Sequence, residues 1–180
     1  MNLRVSLLSL AIVACASRTG PETRSTTPRP LLALSSAETG VAAASIRAVI
    51  DLLPSDTAAA CVTLSGGPPA YWYSPDTSLM RRIGAGARRV VAPAECPPTY
   101  STMIARIDSS GRPNSPVAPP GYVDPHEITV GERRMIGADF ADVTIDVSQG
   151  TLNDFYRCTA HRPAGGEWAA QCRKTGSSIS

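Results

Sequence analysis

Phe155 to Arg173 reads FYRCTAHRPAGGEWAAQCR. Strand-forming stretches flank Pro163-Ala164-Gly165-Gly166-Glu167, a run of turn-forming residues, and the pattern predicts a β-hairpin. A hairpin centred on Gly165 sets Ala160 against Ala170 and Cys158 against Cys172. Because strand side chains alternate between faces, Tyr156, Cys158, Ala160, Trp168, Ala170 and Cys172 then share one face, read as the core face. His161 turns to the other. The hairpin thus predicts both a disulfide and the side of the sheet on which the core lies.

Upstream, Ala141, Val143, Ile145 and Val147 alternate with Asp142, Thr144 and Asp146, the signature of a half-buried strand. HEITVGERRMI (His126 to Ile136) and STMIARI (Ser101 to Ile107) are further strand candidates. Between those two, proline and glycine are too dense for any regular element. Before Pro98 the period becomes helical. Ser35 stands three residues before Glu38, as a capping box requires, and Ile46, Val49, Ile50 and Leu53 form one apolar stripe on a helix that Pro54 ends. AAACVTLS (Ala58 to Ser65) is a short strand candidate, and Arg88 to Val91 another. A second helix is expected from Ser74 as N-cap, with Pro75 at its first position, Leu79, Met80 and Ile83 buried, and Gly84 as its stop.

These elements predict an α+β fold with one or two amino-terminal helices packed on a curved antiparallel meander of about five strands. The order of elements resembles that of the cystatin-like and nuclear-transport-factor-like small curved-sheet domains, a likeness that implies a fold and no residue roles. An all-β, barrel-like sandwich with peripheral helices is the alternative. Residues 35–175 read as one domain and 176–180 as a frayed tail.

The chain opens with Arg4 and an apolar run from Val5 to Val13. That run is shorter than the roughly 20 residues a membrane-spanning helix needs and suits a signal peptide over residues 1–14. Ile12-Val13-Ala14-Cys15 resembles the bacterial lipobox. The resemblance implies lipidation of Cys15, with diacylglycerol on the thiol and a further acyl group, typically palmitate, on the new amino-terminus. Residues 15–34, rich in Ser, Thr, Pro and Arg, then form a flexible tether, and the protein belongs to the cell envelope as a membrane-anchored lipoprotein of the periplasm or outer membrane. Ala14-Cys15-Ala16 also fits ordinary secretory cleavage, which would release a soluble secreted or periplasmic protein, and a buried core helix is the third reading.

The formal net charge is +2, and removal of Arg4 with the leader brings it closer to neutral. Neither that charge nor any run of basic residues points to nucleic acid. Hydrophobic residues make up 43% of the chain but aromatics only 5%, so the core is rich in Ala and Val and needs reinforcement. Cys61, Cys96, Cys158 and Cys172 supply it. An even number of cysteines in an exported chain predicts bridges, here Cys61–Cys96 and Cys158–Cys172. No C-x-x-C pair is present to suggest zinc, and the sequence calls for no metal and no cofactor.

Asp124-Pro125-His126-Glu127 is the best catalytic candidate, since a histidine beside two carboxylates can bind a metal or move a proton. Against it, Asp-Pro is an ordinary turn, and His126 and Glu127, as neighbours on a strand, face opposite ways. Asp142, Asp146 and Asp154 read as solvated strand residues, and GAGARR (Gly84 to Arg89) as a helix C-cap. Tyr71, Trp72 and Tyr73 stand together between prolines, either covering the core edge or meeting a partner. The function expected is a non-catalytic envelope domain binding another protein or a small apolar ligand; the alternative is a small envelope hydrolase or lyase using His126 with Glu127 or Asp124.

Overall fold

A computed structural model of the chain describes residues 33–54, 59–66, 71–84, 89–99 and 122–179. The leader, Cys15, the tether, the strand candidate Ser101 to Ile107 and the long loop after it lie outside the described residues. Among those described, the elements run α1 (Ser36–Ile50), β1 (Ala60–Gly66), β2 (Tyr71–Tyr73), α2 (Thr77–Ile83), β3 (Val90–Val91), a 3-10 turn at Pro93–Glu95, β4 (His126–Met135), β5 (Phe140–Gln149), β6 (Leu152–His161) and β7 (Ala169–Ile179). The fold is α+β. Its strands form one open sheet in the order β2-β1-β4-β5-β6-β7, with β3 also paired to β1.

The expected meander is the antiparallel run β4 to β7. The sheet is larger than expected because β1 joins it parallel to β4, with Val62 opposite Ile128. Parallel neighbours need a long crossover, and α2 with the segments around it provides one. In the last hairpin Gly165 takes a positive φ of 71°, Ala160 faces Ala170, and Cys158 faces Cys172. Strand β7 does not fray after Thr175; backbone pairing carries it to Ile179, opposite Leu152. Its polar, glycine-containing end holds no apolar alternation, so only the ladder reveals it.

Helix α1 lies across one face of the sheet. Ser35 caps it reciprocally: Glu38 N–H donates to Ser35 Oγ at 3.3 Å, and Ser35 N–H donates to Glu38 Oε2 at 2.9 Å. Ile46, Val49, Ile50 and Leu53 are buried with Val62, Leu64, Ile128, Val130, Val143 and Ile145 from the sheet. The side chain and backbone of Ser35, together with the more distant Arg133 guanidinium, hold the Glu38 carboxyl below its ordinary value against a small opposing effect of burial. A depressed carboxyl contributes stability above its unfolded pKa and loses it as pH falls through the folded one. Glu38→Gln is therefore expected to cost about 0.5 kcal/mol at neutral pH. The difference from wild type should close below about pH 4, which urea unfolding at stepped pH will read.

Helix α2 begins later than Ser74. Asp76 is its N-cap, its carboxylate accepting from Leu79 N–H at 2.7 Å, and Pro75 is buried just ahead of it. A carboxylate at a helix start both caps and complements the dipole, while Ser74 lies just past the end of β2. Leu79 and Ile83 are buried, and Gly84 follows as C-cap.

The two disulfides are Cys61–Cys96 and Cys158–Cys172. The first ties the 3-10 turn to the reverse face of β1, where Cys61 and Thr63 are buried. The second closes the β6–β7 ladder beneath α1, where Cys172 Sγ lies 3.6 Å from Ser45 O. They point to an oxidising, exported compartment.

Candidate functional site: an arginine-lined groove

Helix α1 presents small residues on one flank, Ser36, Ala37, Gly40 and Ala43, before Arg47. The Trp168 indole rests on that flank. A Cβ at Gly40 would stand 2.4 Å from Trp168 Cδ1, so only glycine admits the ring at this distance. On the other side of Trp168 the Arg162 guanidinium lies 5.4 Å from the ring centroid, a cation–π contact. Arg162 is itself fixed by Asp139, to whose Oδ1 it donates from Nε at 3.1 Å and from a terminal nitrogen at 3.0 Å.

Above this floor stands α2. Its last turn carries Arg81 and Arg82, a placement that the negative end of the helix dipole favours. Arg47 reaches across from α1 and donates to Arg82 O at 2.6 Å, which satisfies one of the carbonyls left open where α2 ends. The space enclosed by α1, α2 and the residues before β7 is an open groove of about 710 Å³ lined by Arg47, Arg81, Arg82 and Arg162, with Glu167 its single carboxylate.

With Arg162 paired to Asp139, Arg47, Arg81 and Arg82 still face Glu167 as the groove's one lining carboxylate and concentrate positive charge where the whole chain carries a net +2. Lys174 is the sequence's single lysine, so the groove's cations are planar forks able to grip a carboxylate or phosphate with two parallel hydrogen bonds. Arg47 and Arg162 are held in place by protein carbonyl and carboxylate oxygens, whereas Arg81 and Arg82 have exposed side chains at the rim. A concave surface of one sign raises the local concentration of the opposite one, more strongly at low salt.

The residues singled out in the sequence do not gather here. His126 opens β4 on the core face, level with Ala60, and is only 6% exposed. Glu127 faces the opposite way, paired level with Ser148, and Asp124 precedes the strand with its carbonyl accepting from Gln149 Nε2 at 3.1 Å. On the core face the Asp154 carboxyl feels the charge of His126. Burial pushes that carboxyl up, but hydrogen bonds from Lys174, at 2.7 Å, and Ser177, with the charges of Lys174 and His126, bring it below its ordinary value. Asp142 and Asp146 lie on the other face of the sheet from Asp154. In β2, Tyr73 packs against the core while Trp72 points outward, 54% exposed; of Tyr71 the structure describes the backbone alone.

The groove was not visible in the sequence because its arginines are scattered over α1, α2 and the turn after β6. The one local signal is the Arg81-Arg82 pair in the last turn of a short helix. Comparison with known proteins finds no family model that matches the chain, no curated relative and no solved structure similar to it.

Proposed function

We propose that this chain is an exported envelope domain, tethered to the membrane through lipidated Cys15, that works by binding an anionic group in the arginine-lined groove. The observation that carries the proposal is the convergence of Arg47, Arg81, Arg82 and Arg162 on one concave surface of a nearly neutral chain. The two disulfides support export. The lipobox-like Ile12 to Cys15 and the Ser/Thr/Pro-rich stretch behind it support the anchor. The groove's lining favours an anionic ligand over the small apolar one expected from the sequence.

Poly-L-glutamate is a direct probe. Titration of the oxidised chain should show binding that weakens steeply with salt. Arg81→Gln with Arg82→Gln should lower the affinity about tenfold, since each removes a charge-assisted contact. Both side chains are exposed and glutamine is a good helix former, so the variant should stay folded, losing about 1 kcal/mol at most from the helix dipole. Unchanged affinity in that variant would refute the groove as the binding site. For the anchor, Cys15→Ala in a bacterial host should abolish acyl-lipid labelling and move the protein out of the membrane fraction.

A further inference from the structure

The arginine-lined groove continues past Trp168 into a second one of about 650 Å³, between the carboxyl-terminal half of α1 and the first residues of β7. Arg47 and Trp168 line both. One wall is the flank of α1 that carries Ala44, Arg47 and Ala48, continued by Asp51 at the helix C-cap. The other wall is β7 from Ala169 to Cys172.

Strand β7 ends the sheet and pairs with β6 alone among the described residues. The Cα atoms of Cys158 and Cys172 are 4.0 Å apart, the close approach of a non-hydrogen-bonded antiparallel pair. Alternation places Ala160 and Ala170 in the same class. The N–H and C=O groups of Ala170 and Cys172 therefore point away from β6, along the open edge beside the groove. Further on, the register shift opposite Phe155 and Tyr156, with Arg173 and Lys174, protects the rest of the edge as bulges and charges do. What stays available is a short length of edge next to α1.

Resting on the binding role proposed for the groove, we infer that its occupant is an extended peptide segment of another protein, added to β7 as an antiparallel strand with its acidic carboxyl-terminal end among the arginines. Direction follows from the layout. β7 leaves the arginine end at Trp168 and runs toward the Asp51 end of α1, so an antiparallel strand finishes where β7 begins. Arg47, Arg81 and Arg82 meet its terminal acids, while Asp51 repels acid at the other end. Backbone pairing supplies affinity and the one-ended charge supplies selectivity. A small free anion would use the arginines and leave the edge unmatched.

The test uses the full oxidised chain and three synthetic peptides: TVTVTEE with a free carboxyl terminus, the same peptide N-methylated at the residues that would pair with β7, and the reversed sequence EETVTVT as its amide. TVTVTEE should bind with the amides of Ala170 and Cys172 newly protected from hydrogen exchange. N-methylation should weaken it about tenfold by removing donors, and reversal should weaken it similarly. Equal binding by the N-methylated peptide, with sensitivity to Arg81→Gln and Arg82→Gln retained, would overturn strand addition and leave the anion-binding groove standing. Binding of TVTVTEE that is insensitive to those substitutions would remove the groove itself. Binding of poly-L-glutamate that leaves the Ala170 and Cys172 amides unprotected, without binding of TVTVTEE, would overturn the added strand as occupant.

Discussion

Trp168→Ala is expected to destabilise the fold by about 3–5 kcal/mol, the cost of emptying a large aromatic site. The indole is 6% exposed and touches both Gly40 of α1 and Arg162. Gly40 beneath the ring and Ala43 and Ala44 beside it cannot extend into the space left behind, and Arg47 is held away on Arg82 O. Domains of this size are stable by roughly 5–15 kcal/mol, so the loss should move the urea midpoint far toward zero. Gly40→Ala probes the same contact from the other side. Alanine gains about 1 kcal/mol of helix propensity over glycine, but overpacking costs about 1–3 kcal/mol, and a separation of 2.4 Å from Trp168 Cδ1 decides for destabilisation. Combined, the two changes should cost less than the sum of the separate ones, because removal of the ring removes the clash. Additivity would show that Trp168 does not rest on Gly40.

Reduction of both disulfides is expected to be the other large loss. In the chain-entropy account, closing the Cys158–Cys172 loop, 14 residues in separation, contributes about 3 kcal/mol. The Cys61–Cys96 loop, 35 residues in separation, contributes about 4 kcal/mol by the same relation. Each holds a part of the molecule that burial alone secures poorly. Cys61–Cys96 fixes the short 3-10 turn on the back of β1; Cys158–Cys172 locks the open-edged strand that forms the groove's wall. A reductant titration followed by circular dichroism should show cooperative unfolding at 37 °C once both bridges open. Full native structure with four titratable thiols would contradict the role given to them.

What the sequence made legible was short in range. The capping box at Ser35 and Glu38, the stripe from Ile46 to Leu53, and the hairpin around Gly165 with its cross-strand bridge each depend on residues a few positions apart or on strict alternation. The start of α2 was hidden because Ser74, Asp76 and Pro75 all carry helix-start signals, and the choice depends on which side chain meets the Leu79 amide. The parallel pairing of β1 with β4 was hidden too, since no local periodicity reports that two distant strands run the same way. Trp72 and Tyr73 look alike in sequence, and only strand parity sends one outward and the other onto the core. The groove was the least visible feature. Arg47 and Arg162 find their partners 35 and 23 residues away, and only the packing of α1 on α2 and on the residues before β7 brings them to one place.

The most direct measurement is the intact mass of the protein recovered from the envelope of a bacterium expressing the full chain, taken with and without reduction. The predicted product begins at Cys15, carries acyl and diacylglyceryl mass that Cys15→Ala removes, and gains two hydrogens for each of its two bridges on reduction. Recovery from the cytosol of a chain still beginning at Met1, without lipid and with every thiol free, would contradict the account.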